Sequence, residues 1–166
     1  MGGHDIKKTN AMRLLDQAHI VYKYYEYETA DGKIDAVSVA AKIGQAPEQV
    51  FKTLVTQSPS HEYFVFVIPS ICELDLKAAA KAAGQKSVEM LPLKQLLNVT
   101  GYVHGGCSPV GMKKLFPTFI DETALLYDQF CVSAGKVGVN LCLSPQDLAD
   151  FVQARFADLV RFSASG

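Results

Sequence analysis

The spacing of apolar and polar residues divides the chain into short helical and extended segments. In residues 7–18, Met12, Leu15 and Ala18 recur at helical spacing and predict an amphipathic helix. Residues 21–27 are rich in tyrosine and predict a half-buried strand. The same reasoning predicts helices or helical turns at 38–44, 47–50, 76–83, 92–97, 112–115 and 145–156. It predicts strands at 51–56, 63–68, 87–90, 118–120, 129–133 and 139–143.

Residues that start and stop elements support this division. Ser38 is a plausible cap for the second helix, because serine accepts hydrogen bonds from unpaired amides, and Gly44 permits a left-handed exit. The polar segment 57–62 separates two apolar β-rich runs and indicates a hairpin with a long loop. Pro145 is suited to the first turn of the last helix.

The order of these elements favours an α+β fold. Short strands outnumber helices, no β-helix-β unit recurs, and no internal repeat is visible, so we expect a mixed, mostly antiparallel, barrel-like sheet flanked by helices. With 166 residues, 49% of them hydrophobic, the chain fits one domain over residues 1–166, with a core at about 7–160.

Charge and hydropathy narrow the classes of function. A formal net charge of -1 argues against nonspecific coating of nucleic acid, which needs many phosphate contacts from clustered lysines and arginines. Residues 1–5 show no basic and apolar leader, and the apolar run at 63–68 is far shorter than the ~20 residues of a membrane span. We therefore expect a soluble, cytoplasmic protein with no membrane partner.

The cysteines and histidines do not suggest a metal site. No C-x-x-C pair occurs, and Cys72, Cys131 and Cys142 are expected to be buried thiols in a reducing compartment. The histidines, at positions 4, 19, 61 and 104, are scattered and poorly matched with acids. We expect no metal and no cofactor.

The segment 101–111 contains four glycines in eleven residues. Such density is typical of a backbone that approaches a ligand with free amides, and also of a tight turn between strands; composition leaves both open. It is not a nucleotide phosphate loop, because Met112 stands where that motif requires lysine. Ser108 lacks the G-x-S-x-G context of a serine hydrolase, and Cys107 has no assured base beside it.

Three lysines, in the predicted strand at 51–56 and just after the glycine-rich segment, can each be interpreted as surface residues or as ligand contacts. Lys52 lies inside a strand otherwise suited to burial, so it either extends its ammonium to the surface or holds it in a cleft for a carbonyl or a phosphate. Lys113 and Lys114 follow the glycine-rich segment and are either part of a solvated surface or contacts for the phosphates of a polynucleotide.

Several separated motifs, in order, resemble the YbaK/EbsC family of aminoacyl-tRNA deacylases. The resemblance runs from about Lys7 to Val160. The family is related to the editing domain of bacterial prolyl-tRNA synthetases. The motifs are VFKTL at 50–54, LDLKAA at 74–79, VEM at 88–90, TGY at 100–102, GGCSPVG at 105–111 and VSAGK at 132–136.

The resemblance implies roles for individual residues. The implied catalytic residues are Lys52, Gly105 and Ser108. The implied substrate-binding residues are Tyr27, Gly106, Cys107, Pro109, Ser133 and Asn140. Two positions depart from the cysteine-specific branch: Asn140 stands where aspartate is common, and Val137 where arginine is common.

The function implied is trans-editing of mischarged tRNA. The expected substrate is Cys-tRNA(Pro), and also Cys-tRNA(Cys), cleaved by attack of the substrate's own thiol on its carbonyl; water would replace the thiol for other amino acids. The implied partners are the 3′ end of tRNA(Pro) and a prolyl-tRNA synthetase. The alternative from another class is a noncatalytic module that binds aminoacyl-tRNA, a nucleotide or a synthetase.

Overall fold

The computed structural model describes residues 7–161 and shows a mixed α+β fold. The helices are α1 (Asn10–Gln17), α2 (Ala36–Ile43), α3 (Leu76–Ala82), α4 (Leu93–Thr100) and α5 (Pro145–Val152). The strands are β1 (Tyr22–Glu26), β2 (Phe51–Gln57), β3 (Tyr63–Pro69), β4 (Glu73–Leu74), β5 (Glu89–Met90), β6 (Thr118–Asp121), β7 (Phe130–Lys136), β8 (Val139–Leu143), β9 (Arg155–Ala157) and β10 (Val160–Arg161). The predicted lack of a leader at 1–5, and His4, lie outside the described residues.

The strands form three hydrogen-bonded sheets. A five-stranded sheet has the order β5-β2-β3-β6-β9, a three-stranded sheet has the order β1-β8-β7, and β10 pairs with β4. The β3–β6 and β6–β9 pairs are parallel and the others antiparallel. This confirms the predicted mixed, mostly antiparallel α+β fold. Within residues 7–161 the ladders do not close, and a bridge from Val50 to Cys131 joins the two larger sheets.

The main core lies between these two sheets and under α1. Phe51 of β2 and Phe130 of β7 meet edge to face, with ring centroids 5.0 Å apart. Met12 and Leu15 of α1 are fully buried in the same cluster, as the helical spacing predicted. A second cluster covers the other face of the five-stranded sheet, where Ala79 and Ala80 of α3 are buried.

Three local predictions are wrong. The cap of α2 is Asp35 and not Ser38; the Asp35 carboxylate accepts hydrogen bonds from the Ser38 N–H and hydroxyl. Residues 112–115 form no helical turn, because the Lys113 N–H donates to Thr100 O and ties the segment to the end of α4. The last helix ends at Val152, since Gln153 adopts a left-handed φ of 58°, and residues 155–157 form β9.

The prediction for Cys131 and Cys142 is also wrong, because the structure joins them by a disulfide. They are directly opposed on β7 and β8, with Cα atoms 4.2 Å apart, so the hairpin register brings them together without any C-x-x-C spacing. Cys72 is a buried free thiol, as predicted.

Candidate active-site cleft

A cleft of about 640 Å³ is bordered by residues of both larger sheets. Its walls come from β2, from the segment leading into α2, from the glycine-rich loop, and from the β7–β8 pair. A run of apolar residues before and within α4, with Met90, Leu91, Leu93 and Leu96, forms one side. The volume falls within the ~300 to 1,000 Å³ that small-ligand sites occupy.

The edge of β2 is open along the cleft. Ser70 donates to Val50 O on one side of β2, and Leu91 donates to Val55 O on the other. Because the hydrogen-bonding direction alternates along an antiparallel strand, the N–H and C=O of Thr53 point away from β3. On the side of β2 away from β3, the ladder with β5 contains only Thr56 and Gln57 and does not reach Thr53. The backbone beside Lys52 is therefore available to a ligand.

Lys52 supplies a cation to this cleft. Its side chain is partly buried and, within residues 7–161, its ammonium makes no hydrogen bond or ion pair. Burial lowers the pKa of Lys52 below its usual value, while Cys72 and Glu73 act in the opposite direction. A partly desolvated cation interacts strongly with a carbonyl, ester or phosphate oxygen that enters the cleft.

Gly105 and Gly106 form a turn against the β7–β8 hairpin. Gly105 borders the cleft and has a φ of +85°, a conformation that side-chain-bearing residues rarely adopt. A Cβ on Gly106 would lie 3.0 Å from Val137 N and 3.3 Å from the Lys136 carbonyl carbon, so only glycine allows this approach. The Gly106 N–H already donates to Val103 O, whereas the Gly105 N–H has no acceptor among residues 7–161. Of the two glycines, Gly105 is therefore the one whose N–H is free to donate to a ligand oxygen.

Ser108 and Pro109 lie behind the cleft wall. Ser108 is fully buried and its hydroxyl accepts a hydrogen bond from the Val110 N–H. The side chains of Ser108 and Pro109 do not border the cavity, nor does Gly106. Their position fits shaping of the loop and not direct contact with a ligand.

Tyr27, Ser133 and Asn140 all border the cleft. Ser133 and Asn140 are cross-strand partners on β7 and β8, so their side chains share one face of that sheet. Ser133 Oγ accepts from the Gly135 N–H, which leaves its hydroxyl hydrogen for a ligand. The Tyr27 N–H donates to Gly138 O, fixing the tyrosine beside the hairpin.

Cys107 borders the cleft as a thiol and not as a thiolate. It is 8% exposed and packs in a cluster with Val55, Leu91 and Leu96. Burial raises the pKa of Cys107 to about 12. A thiol in this state is a weak nucleophile near neutral pH, so the geometry gives no support to chemistry through Cys107.

Sequence reasoning missed two polar features of this cleft. Thr53 Oγ1 is buried and has no hydrogen-bond partner among the described residues, which is uncommon for a buried hydroxyl. Lys42 donates to Glu28 O, Asp31 Oδ1 and Lys33 O, and so holds the segment that carries Ile34 against the cleft. Neither signal is local: the first depends on strand pairing and the second on a loop folding back onto α2.

The described residues contain no group of three or more histidine, cysteine or acidic side chains arranged for a metal ion. No helix within residues 7–161 is long and apolar enough to cross a membrane.

Comparison with known proteins gives consistent matches. The family described as the aminoacyl-tRNA editing domain matches residues 32–151. A curated relative from Enterococcus faecalis (strain ATCC 700802 / V583), named "Putative Cys-tRNA(Pro)/Cys-tRNA(Cys) deacylase EbsC", is 46% identical over 153 residues, covering 92% of this chain and 93% of the relative.

Solved structures share the fold at lower identity. One is described as "a putative trans-editing enzyme for prolyl tRNA synthetase"; it has a TM-score of 0.80 and 23% identity, covering 93% of this chain and 99% of the other. Another, the hypothetical protein APE2540, has a TM-score of 0.82 and 20% identity, covering 90% and 97%. At these identities the likeness concerns the fold alone.

Proposed function

The chain belongs to the aminoacyl-tRNA editing domain family, and we propose that it is a trans-editing deacylase whose main substrate is Cys-tRNA(Pro), with Cys-tRNA(Cys) as a second. The observation that carries this proposal is the partly buried Lys52 ammonium, which has no ion-pair partner within residues 7–161, in a cleft that Gly105 also borders. The name of the 46% identical relative supports the choice of cysteine and of these tRNAs.

In this proposal the aminoacyl ester enters beside the open edge of β2. Lys52 orients the ester or the terminal phosphate, and the Gly105 N–H donates to the carbonyl oxygen, where negative charge develops during attack. An aminoacyl ester is already activated, so positioning and a fixed donor suffice without a protein nucleophile. Ser108, Pro109 and Gly106 support the reaction by holding the loop that presents Gly105.

The cysteine of the substrate supplies the nucleophile. Its sulfur attacks its own carbonyl carbon, an S–C bond forms, and the ester C–O bond breaks. The thiol proton ends on the 3′-terminal ribose oxygen, which leaves with the tRNA. For other small amino acids water takes the place of the thiol and the reaction is a hydrolysis.

Tyr27, Ser133, Asn140 and Cys107 form the wall that receives the amino acid. Ser133 has a hydroxyl hydrogen to donate, and Asn140 can both donate and accept, so the pair suits the polar atoms around the substrate α-carbon. Asn140 is neutral. Val137 is apolar and lies next to Gly105, because a Cβ added to that glycine would be 3.5 Å from Val137 Cγ2. Neither residue supplies the charge found at these positions in the cysteine-specific branch.

Selection among tRNAs is proposed to be shared with a synthetase. The chain works as one editing domain over residues 1–166 in the cytoplasm, and its formal charge of -1 leaves little general attraction for nucleic acid. A prolyl-tRNA synthetase that holds its own tRNA would supply the missing specificity.

The test is deacylation of Cys-tRNA(Pro), Ala-tRNA(Pro) and Pro-tRNA(Pro) by the wild type, by Lys52→Ala and by Lys77→Ala. Lys77 is exposed on α3 and borders no cleft, so it controls for loss of a lysine charge. We expect Lys52-dependent release of cysteine, with Lys77→Ala like the wild type. Full activity in a folded Lys52→Ala variant would remove the basis of the proposal.

The binding-module alternative makes a different prediction in the same assay. A folded protein that binds aminoacyl-tRNA, a nucleotide or a synthetase, yet releases none of the three amino acids, would favour it. Release of alanine in place of cysteine would keep the deacylase and change its substrate.

A further inference from the structure

A second cavity, here called the lysine groove, lies beside the N-terminal end of α1. It has a volume of about 330 Å³ and is bordered by Lys7, Lys8 and Lys136, together with Asn10 and Tyr102. Among residues 7–161, no acidic side chain borders it. Three cations around one small cavity are a local excess in a chain whose formal net charge is -1.

Two of these lysines have charges that are available to a ligand. Lys7 and Lys136 are exposed and, within residues 7–161, neither makes an ion pair or a side-chain hydrogen bond. Lys8 differs, because its ammonium lies 2.5 Å from Asp16 Oδ2. Lys7 and Lys136 are therefore the cations that an anion in the groove would meet.

The floor of the groove is ordered by close packing. The Tyr102 hydroxyl donates to Val110 O at 2.5 Å, which fixes the ring. A Cβ on Gly135 would lie 2.9 Å from the Tyr102 ring, and one on Gly111 would lie 2.8 Å from its hydroxyl oxygen. The absence of side chains at these two glycines keeps the tyrosine in place between α1 and β7.

The groove and the active-site cleft adjoin one another along β7. Ser133 borders the cleft, and Ala134, Gly135 and Lys136 border the groove. The register of β7 is irregular between Ser133 and Lys136. Three residues of chain span at most about 11 Å, so the parts of β7 that border the two sites lie close together. Gly106, next to the cleft glycine Gly105, packs directly against Lys136.

We propose that the lysine groove binds backbone phosphates of the aminoacyl-tRNA near its 3′ end. This inference rests on the proposed function, since it takes the terminal ester to lie in the cleft. A polynucleotide whose end occupies the cleft must leave it along the protein surface, and the adjoining groove offers two cations, Lys7 and Lys136, that make no ion pair within residues 7–161. Lysines that contact phosphate contribute affinity that depends on salt and not on base sequence.

Binding of deacylated tRNA(Pro) tests the groove independently of catalysis. We expect Lys7→Glu/Lys136→Glu to weaken binding by about tenfold or more at low salt, and to reduce the slope of log affinity against log salt by about 1 to 2. The control is Lys77→Glu/Lys86→Glu, which changes net charge equally at exposed positions bordering neither cavity. Fluorescence anisotropy over a salt series measures both quantities.

Equal affinities and slopes for the two double variants would overturn the inference. Lys7→Glu alone guards against a folding defect, because Lys7 precedes α1 and lies in no helix or strand. It should weaken binding in the same direction by a smaller factor, and an unchanged affinity would count against the groove. Failure of the wild type to release any amino acid would defeat the proposed function without affecting this binding assay.

Discussion

The cleft and the lysine groove place lysines in opposite physical settings. Lys52 is partly buried with a lowered pKa, whereas Lys7 and Lys136 are exposed. A desolvated cation acts strongly on one neighbouring group and is little screened by salt. Exposed cations act over a longer distance and are weakened by salt. In our proposals, the cation of the cleft orients the ester and the cations of the groove attract the polynucleotide.

The largest effect is expected from Lys52→Met, which keeps the apolar stem and removes the charge. Deacylation of Cys-tRNA(Pro) under single-turnover conditions should fall by about 10² to 10³, the usual cost of losing a preorganised electrostatic group. Stability should not fall, because the variant no longer buries part of a charge. Rate measurements with a thermal melt give both results.

Lys52→Arg tests whether the charge alone or also the shape of the ammonium group is required. It restores a charge but not the compact ammonium geometry, so partial recovery is expected. A loss of less than about tenfold in Lys52→Met would mean that the cleft needs no cation, and the contrast with the groove would disappear.

Gly106→Ala should have the next largest effect, because this glycine lies between the two sites. The added Cβ would approach Val137 N to 3.0 Å, so the hairpin or the loop must move. Overpacking of this kind costs about 1 to 3 kcal/mol of stability, and displacing Gly105 by ~1 Å can reduce the rate by about 10². Chemical denaturation and single-turnover rates measure the two effects; unchanged values in both would show that the loop is not held by this contact.

Local pattern was sufficient for much of the fold. The spacing of Met12 and Leu15 predicted the buried face of α1, and the two apolar runs predicted the β2–β3 hairpin. Prediction failed where distant segments decide the outcome. The last helix was predicted to reach residue 156, but it ends at Val152, and pairing with β6 makes residues 155–157 a strand. The Cys131–Cys142 bond likewise depends on the β7–β8 register.

For the candidate site, too, some features were predicted from the sequence and others depend on tertiary structure. Lys52, Gly105, Ser133 and Asn140 were identified through a resemblance of motifs, and the structure brings all four to one cleft. The open edge of β2 and the unpartnered Thr53 hydroxyl follow from strand pairing, which no single segment encodes. The lysine groove brings together Lys7 and Lys136, which are far apart in the sequence, so no local spacing could reveal it.

Lys42→Ala should have a moderate effect on the cleft alone. Its ammonium binds two backbone carbonyls and Asp31, and so orders the segment that carries Ile34. Losing this clamp leaves the segment to be ordered by substrate, at a cost of about 1 kcal/mol, so KM should rise about fivefold with kcat nearly unchanged. Lys42→Arg should recover part of the loss, and a fall in kcat without a change in KM would contradict a positioning role.

Cys107→Ser should have the smallest effect on the deacylation rate. It distinguishes a nucleophilic thiol of the protein from a nucleophilic thiol of the substrate. Burial raises the pKa of Cys107 to about 12, which favours the protonated thiol near neutral pH, and our proposed mechanism takes the attacking sulfur from the substrate. Deacylation should therefore stay within about twofold of the wild type, equivalent to about 0.4 kcal/mol in activation free energy. Stability should fall by about 1 kcal/mol, because a buried hydroxyl replaces a thiol in an apolar cluster. Loss of activity by orders of magnitude in a folded Cys107→Ser protein would transfer the nucleophile to the enzyme and reverse this assignment.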